Sequence, residues 1–327
     1  MTHPLLQIID LNKQLPKGFS IKNISFNQYI QQKIAIVGIS GAGKSTLLKM
    51  IAGLLQPTSG KIFFNNERVI GPDEQLLPGH KKIGYLSQHY ELLNNYIVKD
   101  LILFENKLTE QETESLFTIC RINHLLLRKT NELSGGEKQR ISLCMLLVKK
   151  PQLLLLDEPF SNLDLIHKTT LKKVLEDISD KLKITTLLAS HDPSDILSWA
   201  NEIIVIKDGS IVQQASATII YNQPINEYVA GLLGIYNFLN DTQLLVITNE
   251  HFSEGNYIIR PQHISIATIN NAMFSGKVVG INFFGNYYLA NVLVDDFIIT
   301  IMLLNKDVQL DELVSLSVDK NKIWKLS

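Results

Sequence analysis

The sequence predicts two parts in series: an α/β unit built on a largely parallel sheet, then a small all-β unit. Three observations lead there. Short apolar strands alternate with helical stretches from Lys33 to Ile206, the pattern of strands joined by crossover helices. Past about residue 236, strand-like runs follow one another with short polar turns, as in a small barrel. At 327 residues, 45% of them apolar, the chain is long for one domain and comfortable for two. The boundary is expected between Tyr228 and Asn240, dividing the chain into residues 1–235 and 236–327.

In chain order, Leu5 to Leu11 and Ile21 to Phe26 alternate apolar and polar residues around a Pro16-Lys17-Gly18 turn, which reads as two paired strands. Lys33 to Val37 is a short buried strand ending at Gly38, and Gly43 to Leu55 has helical spacing, stopped by Pro57-Thr58-Ser59-Gly60. Lys61 to Asn65 is a further strand. From Tyr90 to Thr130 apolar residues recur at three- and four-residue intervals, so this stretch reads as helical. Helices are predicted at Ile141 to Val148 and Leu171 to Ile178, and strands at Leu153 to Leu156, Ile184 to Ala189 and Ile203 to Ile206. In the last part, Tyr257 to Ile259, Gly276 to Ile281, Tyr287 to Val294 and Phe297 to Leu303 read as strands, with little helical signal between them.

Bulk properties exclude several classes. A formal net charge of -1 lacks the basic excess of a nucleic-acid binder, and the apolar content excludes disorder. The two cysteines, Cys120 and Cys144, sit in apolar stretches with no metal-ligand spacing, as expected of reduced thiols in a cytosolic protein. No basic and then apolar leader opens the chain. No run approaches the roughly 20 apolar residues of a membrane span, so any membrane-crossing part must belong to another polypeptide.

Gly38-Ile39-Ser40-Gly41-Ala42-Gly43-Lys44-Ser45 matches G-x-x-x-x-G-K-[ST] between a strand and a helix. Glycines let successive N–H groups turn inward around an anionic oxygen, and the helix N-terminus adds positive potential there. Lys44 is the residue for the β- and γ-phosphates and Ser45 a ligand for Mg²⁺. Gly38, Ser40, Gly41, Ala42, Gly43, Lys44, Ser45 and Thr46 form the expected nucleotide-binding set. The apolar run Leu153 to Leu156 ends in Asp157-Glu158 at the same sheet edge. Asp157 is expected to hold Mg²⁺, and Glu158 to accept a proton from the attacking water.

Leu133-Ser134-Gly135-Gly136-Glu137-Lys138-Gln139-Arg140 resembles the LSGGQ signature of ABC ATPases, with Glu137 in place of the commoner Gln. Physically it is a second anion site, a serine N-cap and two glycines opening a helix. The resemblance covers about residues 5 to 235. It implies a P-loop NTPase fold with a helical subdomain, and ATP hydrolysis in a dimer where each ATP lies between one Lys44 loop and the partner's Ser134, Gly135 and Gly136. It further implies that Gln88 is the Q-loop glutamine near Mg²⁺ and water, that Asp164 in Ser161-Asn162-Leu163-Asp164 is a D-loop residue, and that His191 senses the γ-phosphate. Leu15 stands where the family usually stacks an aromatic on adenine; Phe19 is the alternative.

The β-rich tail resembles the TOBE-type regulatory domain of importer ATPases, through Arg260-Pro261-Gln262-His263-Ile264, Gly276-Lys277-Val278-Val279 and Phe283-Phe284-Gly285. The alternative is a plain β cap without a ligand. The resemblance implies an importer subunit on the cytoplasmic face of the inner membrane, acting with a separate transmembrane permease and indirectly with a solute-binding protein. Ferric iron or a polyamine ranks ahead of sulfate, molybdate or sugar as cargo. Rival readings are an exporter ATPase and a non-transport regulatory ATPase. Leu92, Leu93, Tyr96 and Ile97 serve either as permease contacts or as core.

Overall fold

A computed structural model describes residues 3–15, 20–88 and 92–327. Two compact units result, the first ending at Ala217 and the second beginning at Thr218. The Pro16-Lys17-Gly18 turn, Phe19 and Tyr90 lie outside the described residues.

The first unit opens with β1 (Leu6–Gln14) and β2 (Ser20–Gln28), antiparallel as the alternation predicts. Next come β3 (Lys33–Val37), α1 (Lys44–Ile51), β4 (Ser59–Phe64), β5 (Glu67–Arg68) and β6 (Ile83–Leu86). A helical stretch holds α2 (Val98–Leu103), α3 (Glu110–Ile119) and α4 (Gly135–Leu147). The chain then alternates through β7 (Leu153–Asp157), α5 (Leu165–Lys181), β8 (Thr185–Ser190), α6 (Pro193–Ile196), β9 (Glu202–Lys207) and β10 (Ser210–Ala215).

The central sheet has the order β10-β9-β3-β8-β7-β6. β9, β3, β8, β7 and β6 run parallel, and β10 folds back antiparallel on β9. Leu153 to Leu156 and Leu187 to Ala189 are fully enclosed, as strands covered on both faces must be. A smaller antiparallel sheet, β2-β1-β4-β5, lies beside it in sequence. Because the five parallel strands share one direction, their C-terminal ends meet at one edge. The register sets Val37 beside Ser190 and Asp157 beside Ala189. In an open α/β sheet that edge is where ligands bind.

The second unit begins within α7 (Ala217–Asn222), followed by α8 (Glu227–Leu232), β11 (Asn237–Asn240), α9 (Asp241–Thr248), β12 (Asn256–Ile259) and β13 (Ile264–Ile266). It ends with β14 (Phe274–Phe283), β15 (Tyr288–Val294), β16 (Phe297–Leu303), β17 (Leu313–Val318) and β18 (Trp324–Lys325). The strands form a three-stranded sheet, β11-β12-β18, and a five-stranded antiparallel sheet, β13-β17-β14-β15-β16. They share a core that includes Val278, Ala290, Val292, Ile299, Ile301 and Leu316. α9 interrupts a stretch in which the sequence shows little helical signal. Its Leu-Leu-Val-Ile-Thr end favours strands by composition, yet a reciprocal cap between Asn240 and Gln243 starts a helix that buries Leu244 and Ile247. Arg260 is buried and acts as a strut, its Nη1 donating to the carbonyls of Ala230, Gly234 and Ile235, and Nη2 to that of Tyr221.

Among the described residues no helix is long and apolar enough to cross a membrane. Leu93, Tyr96 and Ile97 are exposed and Leu92 half-buried, so the first three are not core.

Candidate functional site

The loop from Gly38 to Gly43 joins β3 to α1. Its glycines are there for two different reasons. A Cβ on Gly38 would lie 2.4 Å from the Ile206 carbonyl oxygen, so the close approach of β3 to β9 requires glycine. Gly41 (φ 85°) and Gly43 (φ 107°) occupy left-handed backbone, which lets the loop wrap and deliver α1. Lys44 is 4% exposed and turns back over the loop, donating to the Gly38 carbonyl at 2.8 Å and the Ile39 carbonyl at 3.2 Å. Its Nζ also lies 3.5 Å from Glu158 Oε1. Lys44 thus sits at the centre of the loop, facing the acids at the end of β7.

Ser45 Oγ donates to Asp157 Oδ1 at 2.9 Å, and the Tyr85 hydroxyl donates to Asp157 Oδ2 at 3.0 Å. Burial, then the adjacent Asp157 charge, pushes the Tyr85 phenol well above its ordinary pKa, so it stays a donor. Tyr85 was not a candidate in the sequence. Its partnership depends on β6 pairing with β7 in the register Tyr85–Leu155, which puts Tyr85 and Asp157 on one face two residues apart.

Ser45 and Asp157 form a pair of hard oxygen donors beside the phosphate loop. Mg²⁺ accepts such a pair, because it takes one or two protein oxygens and completes its shell with phosphates and water. Among the described residues there is no cluster of three His, Cys, Asp or Glu side chains to hold a metal. The Ser45–Asp157 donor pair fits a Mg²⁺ that arrives with a nucleotide. Gln88 follows β6, is exposed, and has no hydrogen-bond partner among the described residues, so it is not joined to Ser45 or Asp157.

Glu158 is the most constrained residue of the site. Its backbone is left-handed (φ 48°), uncommon for a non-glycine, and its N–H donates to the Ala189 carbonyl at 2.9 Å. Its Oε2 accepts a hydrogen bond from Ser161 Oγ at 2.9 Å and lies 3.0 Å from His191 Nδ1. Burial alone would raise the carboxyl pKa. Hydrogen bonds from Ser161 and His191, with the charges of His191 and Lys44, outweigh it and hold the group below the usual glutamate range. The side chain is therefore a carboxylate at neutral pH, the form that accepts a proton. The sign follows: a depressed pKa keeps the carboxylate ionised above it, and that form is lost as pH falls through it. Ser161→Ala removes one of the lowering bonds, so the acid limb of the kcat–pH profile should move to higher pH. An unmoved limb would mean that another group sets it.

The signature segment is a helix start. Ser134 caps α4: its hydroxyl accepts from Glu137 N at 3.4 Å, and its own N–H donates to Glu137 Oε2 at 2.7 Å. These bonds of Ser134 stay within its own loop and do not reach Lys44. A Cβ on Gly136 would lie 2.4 Å from the His167 ring, so His167 packs directly against that glycine. His167 Nδ1 lies 2.9 and 2.8 Å from the two oxygens of Asp164, which also caps α5. Gln139 Nε2 donates to the Pro159 carbonyl, one residue beyond Glu158. Thus α4 is bound to the segment leading out of β7. Lys168 is wedged between Asp192 (2.6 Å) and Asp195 (2.7 Å), bracing α5 against the turn after His191.

Of the predicted residues, then, the fold brings together Lys44, Ser45, Asp157, Glu158 and His191. Ser134, Gly135 and Gly136 form a separate loop with Asp164 close behind. Leu15 is half-buried and aliphatic, and Phe19 lies outside the described residues.

A phosphate loop, an acid-tipped strand and a second glycine-rich helix start define a nucleotide-hydrolysing cassette. Residues 21–161 match the family model described as ABC transporter. The spermidine/putrescine import ATP-binding protein PotA of Clostridium acetobutylicum is 30% identical over 306 residues, covering 87% of this chain and 86% of that protein. The glucose import ATP-binding protein GlcV of Saccharolobus solfataricus is 34% identical over 252 residues, 74% of this chain and 70% of that one. Among solved structures, cbiO1 from Clostridium perfringens, part of the ABC transporter complex cbiONQ, is similar with a TM-score of 0.58 and 27% identity, covering 67% of this chain and 90% of that one. The chain belongs to the ABC transporter family, and its cassette is an ABC ATPase that binds ATP.

Proposed function

We propose that this chain hydrolyses ATP to drive solute import through a separate transmembrane permease, working as a dimer on the cytoplasmic face of the membrane. What carries the reading is the convergence on one sheet edge of Lys44, the Ser45–Asp157 pair, and Glu158 held as a carboxylate by Ser161 and His191. Lys44 and the loop amides hold the phosphates. Ser45 and Asp157 would hold Mg²⁺, which would supply charge neutralisation on the phosphates, and Gln88 would join them only once the end of β6 moves toward the site. Glu158 takes the proton of the attacking water, and His191 fixes that carboxylate. Ser134, Gly135 and Gly136 of the second chain close on the same ATP, with Asp164 at the junction.

Residues 1–235 serve as the ATPase domain, and residues 236–327 as a TOBE-like regulatory module. Import, a permease partner and an indirectly coupled solute-binding protein are supported by the relatives, both named import ATP-binding proteins. Their cargoes, spermidine/putrescine and glucose, differ, which is natural for a subunit that the solute does not touch. A polyamine is our first choice, since the relative named for it matches over most of both chains; ferric iron ranks next.

The test is ATPase activity of the chain reconstituted with its permease in vesicles, with binding proteins loaded with spermidine, ferric iron, sulfate or glucose. Stimulation several-fold by one loaded protein supports import and names the cargo. Stimulation by solute supplied only on the ATPase side would overturn import.

A further inference from the structure

We infer that Arg128 is a positioning residue for the signature loop, holding the Glu137 carboxylate clear of the phosphate this loop receives. The inference rests on the reading of the Ser134 loop as the phosphate site of the dimer.

A loop that binds a polyanion here carries a carboxylate three residues past its N-cap. Glu137 is 17% exposed at the side chain and is fully committed. Oε2 accepts the Ser134 N–H, and Oε1 lies 3.7 Å from Arg128 Nη1. Burial would raise its pKa, but the Ser134 hydrogen bonds and the charges of Arg128 and Arg140 prevail, so the group stays ionised. A full negative charge therefore stands within one turn of Ser134 and Gly136, against the helix-end potential that attracts phosphate.

Two cations offset it. Arg140 is buried and donates to the Gly136 carbonyl at 3.4 Å, beneath the loop. Arg128 stands on the loop ahead of the signature. Its N–H is bonded to the Leu125 carbonyl, and its own carbonyl accepts from Val98 N at the start of α2. The guanidinium thus approaches Glu137 from an anchored backbone. It lies beside Oε1 while the Ser134 N–H holds Oε2, so the carboxylate is gripped at both oxygens and its charge is offset. With Arg128 removed, Glu137 is left facing the incoming phosphate with a single buried cation behind it.

Steady-state ATPase assays on the full chain test this, comparing Arg128→Ala with Arg128→Ala in a Glu137→Gln background. Arg128→Ala should raise KM for ATP about three- to fivefold with little change in kcat, the most that a half-exposed ion pair supports. Adding the same substitution to Glu137→Gln should raise KM less than twofold, because no charge is left to neutralise. Arg128→Lys should recover most of the loss, and Arg128→Gln replaces the alanine variant if that does not fold. An equal loss in both backgrounds, or an unchanged KM, would overturn the inference, the former marking a packing role. Ser134→Arg separates this from the underlying reading. If that bulky change leaves turnover intact, the loop is not the phosphate site. If it abolishes turnover while Arg128→Ala does nothing, only the role of Arg128 fails.

Discussion

Replacing Glu158 by glutamine should slow ATP hydrolysis by about 10²–10⁴-fold while ATP binding is retained. The amide has nearly the same shape and keeps an acceptor for the Ser161 hydroxyl, so the left-handed turn at residue 158 and its bond to Ala189 remain. The proton acceptor is lost, with the charge that faces Lys44 and His191. The Lys44 bonds to the loop carbonyls and the Ser45–Asp157 pair remain, so nucleotide affinity is expected to persist. Phosphate release under saturating ATP, with fluorescent-nucleotide titration beside it, measures the two quantities separately. Turnover within about tenfold of the parent would remove Glu158 from the role of base.

Lys44→Ala should do the opposite, weakening ATP binding by about 10²-fold, which abolishes turnover at ordinary ATP concentrations. Lys44 is in contact with both the loop carbonyls and Glu158, and each charge-assisted hydrogen bond to phosphate is worth about 1.5–3 kcal/mol. Its loss also withdraws a positive charge from Glu158, so any residual activity should show its acid limb at higher pH. Isothermal titration with ATP and thermal melts of the free protein decide the matter. An unchanged Kd would show that the loop amides alone hold the phosphates.

The parts of this site that were legible in the sequence are those whose physics is local. A phosphate loop needs left-handed and sterically open positions at fixed spacing, and Gly38, Gly41 and Gly43 supply them within six residues. Asp157-Glu158 announces itself because four enclosed leucines precede it. The signature is a helix cap, equally local. Hidden were the contacts made by register. Tyr85 reaches Asp157 only because β6 lies beside β7 with Leu86 opposite Leu156. His191 meets Glu158 only because β8 is the neighbour of β7. Arg128 reaches Glu137 across a loop whose course no periodicity reveals. In the second unit, where the sequence shows little helical signal, the cap between Asn240 and Gln243 starts helix α9.

The order of strands has a mechanical consequence. β3 and β8, which lead into the phosphate loop and His191, are each clamped by two hydrogen-bonded neighbours, and β7, carrying Asp157 and Glu158, likewise. β6, which leads into Gln88, is the terminal strand and, among the described residues, is paired on one side only. Local opening is easiest where fewest bonds must break. The sheet is therefore stiff beneath Lys44, Asp157 and Glu158 and compliant at its rim, so Gln88 can be displaced without disturbing the alignment of Lys44 with Glu158.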